Sequence, residues 1–193
     1  MGEELKEKLF LDNSNGWKNM EDKKKKEIFD FSSNYMQFLN KSKTEREFIK
    51  NAKKLADENG FTDINNKTEL KAGDKIYFIN RDKSMYLAII GTEDIEKNGM
   101  HIIGSHVDSP RLDLKPNPLQ EDGGFAYFKT HYYGGIKKYQ WTTIPLSIHG
   151  VVVKANREKI EINIGEDDSD PIFTITDLLP HLAQSQMDKK LRE

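Results

Sequence analysis

The chain has 193 residues, of which 36% are hydrophobic and 32% charged, and its formal net charge is -2. That length suffices for one ordinary domain or two small ones with a real core, and an aromatic content of 10% excludes a disordered chain. The near-neutral charge excludes a global field that would draw in nucleic acid, and the absence of cysteine excludes a disulfide framework, a Cys-ligated metal and a Cys nucleophile.

Met1 to Phe10 alternates charged and apolar residues without an apolar stretch, which predicts no secretory signal. No run approaches the roughly 20 apolar residues needed to cross a bilayer. The expectation is a soluble, cytoplasmic protein with neither a nucleic-acid nor a membrane partner. From Lys23 to Lys41, Ile28, Phe31, Tyr35 and Phe38 recur at three and four residues and predict an amphipathic helix. The lysines at 23–26 read as its solvated first turn. A second helix starts at the capping-box pair Thr44 and Glu47, carries the stripe Phe48, Ala52 and Leu55, and closes at Asn59-Gly60.

After Gly60 the period becomes strand-like. Lys75 to Asn80 and Ser84 to Gly91 predict a hairpin turned at Arg81-Asp82-Lys83, and Met100 to Gly104 predicts a short strand apolar on both faces. Helices followed by such a sheet predict an α/β layer fold. Pro116 and Pro118 are expected to break the chain, and Glu121-Asp122-Gly123-Gly124 to turn it. Phe125 to Tyr133, Thr142 to Lys154 and Glu158 to Ile164 are β-type, with Asn156-Arg157 as a hairpin turn. Thr176 to Lys190 reads as a helix capped by Thr176. These shifts place a boundary near residue 118, dividing 1–118 from a β-rich 119–193.

The chemistry concentrates after Gly104. His106 and Asp108 are two residues apart, so in an extended segment their side chains share a face. A metal-binding imidazole needs its other ring nitrogen held by an acceptor, which a nearby carboxylate supplies. The position beyond a strand's carboxyl end is also where open α/β sheets collect ligands. The pattern alone leaves a second reading open, in which His106 is a loop histidine hydrogen-bonded to Asp108. His101 reads as a sheet histidine, while His131 and His149 have no carboxylate at ligand spacing. Gly134-Gly135 is a turn or a close backbone approach, not a phosphate loop, and Asp167 to Asp170 is a solvated turn lacking the features of a calcium loop.

Gly104-Ser105-His106-Val107-Asp108-Ser109-Pro110-Arg111-Leu112, followed by Leu114-Lys115-Pro116, resembles the first metal-ligand segment of the M18 zinc aminopeptidases. The likeness continues through Tyr133-Gly134-Gly135, the β-rich stretch to Val153 and Pro180-His181-Leu182-Ala183, spanning most of residues 25–185 in order. The resemblance implies the N-terminal part of a zinc-peptidase α/β sandwich over residues 1–118 and part of an inserted, β-rich dimerisation domain over 119–193. It implies two zinc ions in the complete enzyme (with cobalt or manganese also suited to such ligands), His106 as a ligand of one, and Asp108 as the carboxylate orienting it. It assigns His181 a catalytic contact with the substrate or oxyanion in a neighbouring subunit.

The implied activity is metal-assisted removal of N-terminal residues from peptides, with a polarised carbonyl attacked by water that a glutamate deprotonates. The bridging carboxylate, the second histidine and the glutamate base of that family have no match after Asp108. The expectation is therefore a truncated fragment, inactive alone, that forms a homo-oligomer through its β-rich half. The competing class is a non-catalytic oligomerisation or binding module of the same fold. Whether the preferred N-terminal residue is acidic or neutral is not legible.

Overall fold

The computed structural model describes residue 5, residues 9 and 10, and residues 15–190. Most of the Met1–Phe10 segment read for a leader, and the chain end at Glu193, lie outside the described residues. The chain divides into two units, Met1–Lys41 and Ser42–Glu193. In the first, Asn15 Oδ1 accepts from the amides of Trp17 and Lys18, each at 3.1 Å, in a turn ahead of helix α1, Asp22–Asn40. The lysines of its first turns pair with acids on the same helix, Lys25 with Asp22 and Lys24 with Glu27, each at 3.0 Å. They are a solvated face, as expected. No residue of α1 is buried, and Phe31 and Tyr35 of its apolar stripe are exposed.

Helix α2, Glu45–Glu58, opens the second unit with the full capping box. Thr44 Oγ1 accepts from the Glu47 amide at 3.3 Å, while Glu47 Oε2 accepts from the amides of Thr44 and Lys43, each at 3.0 Å. Asn59 caps its end and Gly60 carries the chain away. The buried positions on α2 are Ile49 and Ala56, offset from the expected stripe, since Leu55 is half exposed. They join Ile76 and Tyr77 of β2 and Ala183 as the buried apolar side chains among the described residues. The Lys53 ammonium lies 5.4 Å from the centre of the Tyr77 ring, which sets α2 against β2.

β1 (Thr62–Asp63) runs parallel to β2 (Lys75–Asn80), and β2 pairs antiparallel with β3 (Ser84–Ile89) in the hairpin the sequence predicts. A four-residue helix, α3 (Ile95–Asn98), follows. The expected strand at Met100 to Gly104 does not form, and Ile102 and Ile103 are 79% and 99% exposed. A strand needs a neighbour to take its backbone groups, and among the described residues none lies beside this segment.

β4 (Arg111–Asp122) and β5 (Phe125–Tyr133) form the second sheet. Gly123 and Gly124 both adopt positive φ, 58° and 82°, as a two-residue hairpin turn requires. Pro116 and Pro118 do not break the strand. They sit where the register jumps between Leu114 and Leu119, an irregularity that excuses prolines from donating to the ladder.

β6 (Ile148–Val153) and β7 (Lys159–Ile164) form the third sheet, with Arg157 at φ 68° in the turn. Beyond it, Gly165 adopts φ +102°, and a Cβ there would meet the Ser147 Cα at 3.0 Å. The expected helix over 176–190 shrinks to a 3-10 turn, Pro180–Leu182, and one α turn, α4, Gln184–Met187. Pro180 explains this, because its ring clashes with the carbonyl four residues earlier, at Thr176, where the helix would have begun.

The three sheets converge on the first half of α2 through charged side chains. Arg46 reaches Asp82 at 3.3 Å in the β2–β3 turn, and Lys159 of β7 reaches the same carboxylate at 2.9 Å. Lys50 pairs with Glu161 of β7 at 2.7 Å, and Lys43 with Glu166. Between these stations the nearly buried ring of His149 bridges two carboxylates. Its Nδ1 lies 2.7 Å from Glu47 Oε1 and its Nε2 3.0 Å from Glu166 Oε1. Ser147 Oγ lies 3.0 Å from the same Nε2 and donates to Glu166 Oε1 at 2.8 Å. Lys43 first, then Ser147 and His149, hold the Glu166 carboxyl down to about 2.

Two outcomes follow from this packing. Ile49→Ala is expected to cost about 2–4 kcal/mol in urea unfolding, against half of that or less for Leu55→Ala; the reverse order would restore the stripe expected from the sequence. Glu166 has a folded value of about 2 against an ordinary 4.5, so its contribution is complete above 4.5 and is lost as pH falls toward 2. The stability gap between wild type and Glu166→Gln should therefore narrow over that interval, measured as urea midpoints, and a gap independent of pH would contradict the assignment.

Candidate functional site

Residues 100–110 carry no regular structure, so the His106 ring is held by local hydrogen bonds and not by a backbone ladder. Its Nδ1 faces two oxygens of Asp108, the backbone carbonyl at 2.9 Å and Oδ1 at 3.1 Å. Neither oxygen can donate, so a hydrogen bond to them requires the proton on Nδ1. In the neutral ring that leaves Nε2 with its lone pair, on a side chain that is 82% exposed. A metal-binding imidazole held by a carboxylate has this form.

The second oxygen of Asp108 has its own partner. Tyr133, the last residue of β5, donates its phenol to Asp108 Oδ2 at 2.9 Å. This bond, ahead of the backbone and His106 contributions, lowers the Asp108 carboxyl below the ordinary carboxylate range, and the same bond raises the Tyr133 phenol. Tyr133 and Arg111 are directly opposite in the β4–β5 ladder, and the guanidinium carbon lies 4.0 Å from the Tyr133 ring centre. Arg111 is held in turn by Asp113, on the same face of β4, at 2.7 Å, and by Glu45 of α2 at 3.1 Å. Residues from a helix, two strands and an irregular loop thus meet in one connected network.

His181 lies exposed in the Pro180–Leu182 turn, and no hydrogen bond among the described residues holds its ring. The structure does not join it to His106. His101 is exposed on the irregular segment instead of lying in a sheet, and His131 packs edge-on against Tyr132 at 5.1 Å. Sequence spacing found no carboxylate for His149, yet the fold supplies two, from positions 102 residues before and 17 after it. Ser147, His149 and Glu47 even reproduce nucleophile–base–acid spacings, but the Ser147 hydroxyl is spent on Glu166, whose negative charge would oppose a developing oxyanion. That cluster is a fastening.

Among the described residues, no group of three or more His, Asp or Glu side chains is arranged to hold a metal ion, and no helix is long and apolar enough to cross a membrane. His106 has the chemistry of a single metal donor, and among the described residues no cluster of His, Asp or Glu completes a site with it. A zinc site requires four donors, or three and a water.

A family model described as "Aminopeptidase I zinc metalloprotease (M18)" matches residues 38–193. The "Probable M18 family aminopeptidase 1" of Borrelia garinii subsp. bavariensis is 51% identical over 180 residues, covering 93% of this chain and 39% of that protein. The protein of the same name from Thermotoga maritima is 47% identical over 189 residues, covering 96% and 40%. Among solved structures, the M18-family aminopeptidase from Thermotoga maritima superposes with a TM-score of 0.84 at 44% identity, over 95% of this chain and 39% of that one. Aminopeptidase I from Borrelia burgdorferi B31 gives 0.82 at 48% identity, over 86% and 41%. The chain thus spans about two fifths of the length of the relatives it matches.

Proposed function

The chain belongs to the aminopeptidase I zinc metalloprotease (M18) family, and from that membership we propose that it forms the His106-bearing part of a zinc-dependent enzyme that hydrolyses N-terminal residues from peptides. The observation that carries this reading is the His106–Asp108 geometry, with Nδ1 against two acceptors and Nε2 open. Zinc, when bound, supplies Lewis acidity toward the scissile carbonyl and toward water. His106 Nε2 is the donor this chain brings to one of two ions, and Asp108 holds the ring in the donating tautomer. Imidazole and carboxylate donors also suit cobalt and manganese.

The remaining ligands and the general base are to come from residues other than those described, so the chain on its own is expected to lack turnover. We assign His181 to contact with the substrate or oxyanion of a neighbouring subunit, a role its exposed and unbonded ring leaves open to it. We assign the oligomerising part of a homo-oligomer to the β-rich residues 119–193 and the catalytic part to residues 1–118, a division that passes through β4 and its pairing with β5. The exposed Phe125 and Tyr127 of β5 and Leu178, Leu179 and Leu182 near the turn support an interface there. The absence of cysteine suits the reducing cytoplasm.

A chimera joining residues 1–193 to the remainder of the Thermotoga maritima relative tests the assignment. It should bind zinc, scored by elemental mass spectrometry, and hydrolyse leucine- or aspartate-4-nitroanilide, the pair of substrates distinguishing neutral from acidic preference. His106→Ala should remove about one of the two bound ions and nearly all hydrolysis, and Asp108→Asn should cost roughly 10–100-fold in metal affinity or activity. Full metal content and full hydrolysis in the His106→Ala chimera would overturn the ligand assignment.

A further inference from the structure

We infer that Tyr133 is a positioning residue for His106, acting through Asp108 and itself held in place by Arg111; the inference rests on the reading of His106 as a metal ligand and extends it to residues outside the His-x-Asp segment. Asp108 is the last fixed point that His106 has, since residues 100–110 belong to no helix or strand and the His106 side chain is 82% exposed. The terminal torsion of a carboxylate is broad and roughly two-fold, so on an irregular loop its orientation depends on the partners it meets. The Tyr133 phenol fixes that orientation by engaging Oδ2 at 2.9 Å, which leaves Oδ1 toward the imidazole at 3.1 Å.

Tyr133 can do this because its own position comes from regular structure. It is the terminal residue of β5 and the cross-strand partner of Arg111. The guanidinium lies against its ring at 4.0 Å and is prevented from sliding by Asp113 at 2.7 Å and Glu45 at 3.1 Å. Arginine suits the task as lysine does not, since a planar guanidinium can stack on a ring and bond two carboxylates at its edge. Rigidity thus passes from α2 and the β4–β5 ladder to a loop that has no backbone pairing. The His106 tautomer reports the effect directly, because the two Asp108 oxygens stabilise only the form with the proton on Nδ1.

The test uses this chain, without metal, and 15N NMR of the histidine imidazoles at a pH where His106 is neutral, with its resonance assigned by His106→Gln. Wild type should populate chiefly the Nδ1-protonated tautomer. Tyr133→Phe keeps the ring and its Arg111 contact but deletes the hydroxyl. It should raise the Nε2-protonated fraction roughly two- to fivefold, the worth of about one hydrogen bond, while the β4–β5 amide resonances stay in place. Arg111→Lys, which retains charge and loses the stacked plane, should move the tautomer in the same direction by less. Identical tautomer populations in wild type and both variants would overturn the positioning role. A wild type that is chiefly Nε2-protonated would overturn it too, by removing the bond Tyr133 is held to support. The first outcome leaves the reading of His106 as a metal ligand untouched; the second removes the tautomer that reading was argued from, and the metal content of the His106→Ala chimera decides it separately.

Discussion

Three small sheets share one helix, and they share it through charge. Residues 43–50, just before and at the start of α2, reach the β2–β3 turn through Arg46, the β4–β5 ladder through Glu45, and the β6–β7 hairpin and the residues just after it through Lys43, Glu47 and Lys50. Glu47 alone closes the capping box with one oxygen and holds His149 with the other. Few apolar side chains are buried among the described residues of this unit, so its arrangement does not rest on a large core there. Exposed ion pairs contribute little energy each, and their value here is in direction. The His149 bridge is the exception. Its ring is nearly buried, and removing it would leave Glu47 and Glu166 facing each other without the group between them.

That distribution of forces separates what the sequence could disclose from what it could not. Local physics was legible: the Thr44–Glu47 capping box, the Arg81–Lys83 hairpin, the Gly123-Gly124 turn and the turn after Asn156 depend on residues a few positions apart. The strand at 100–104 and the helix at 176–190 were read from composition, and each failed on a backbone requirement. One had no neighbour to pair with among the described residues, and the other contained a proline at its fifth position. The side-chain network was out of reach for a different reason. Glu45 and Arg111 are 66 positions apart, Asp108 and Tyr133 are 25, and Glu47 and His149 are 102. Only the topology brings such residues together, and nothing in their local sequence marks them as partners.

The His106–Asp108 pair lies between these two cases. Its spacing was readable, and so was the chemistry of an imidazole with a carboxylate two residues on. The shared face expected of an extended segment does not come from a strand, since residues 100–110 form none. The alignment survives because Asp108 offers both its backbone carbonyl and Oδ1 to the same ring nitrogen. Two acceptors close a small ring of covalent and hydrogen bonds, and that local geometry needs no ladder.

The same geometry argues for a division of labour along the chain. A single imidazole on an irregular segment would lose conformational freedom on meeting a metal, and that loss would weaken the bond it forms. Fixing the ring beforehand shifts the cost into folding, where the β4–β5 register and the α2 contacts bear it. Arg111 is the residue at which the two parts meet: it is paired with Tyr133 in the ladder, bonded to Glu45 on the helix, and close along the chain to both Asp108 and Ser109. Asp108 is engaged by Tyr133 on one oxygen and by His106 on the other. The loop stays exposed, and it is tied through Asp108 to the strands and the helix that hold Tyr133 and Arg111 in register.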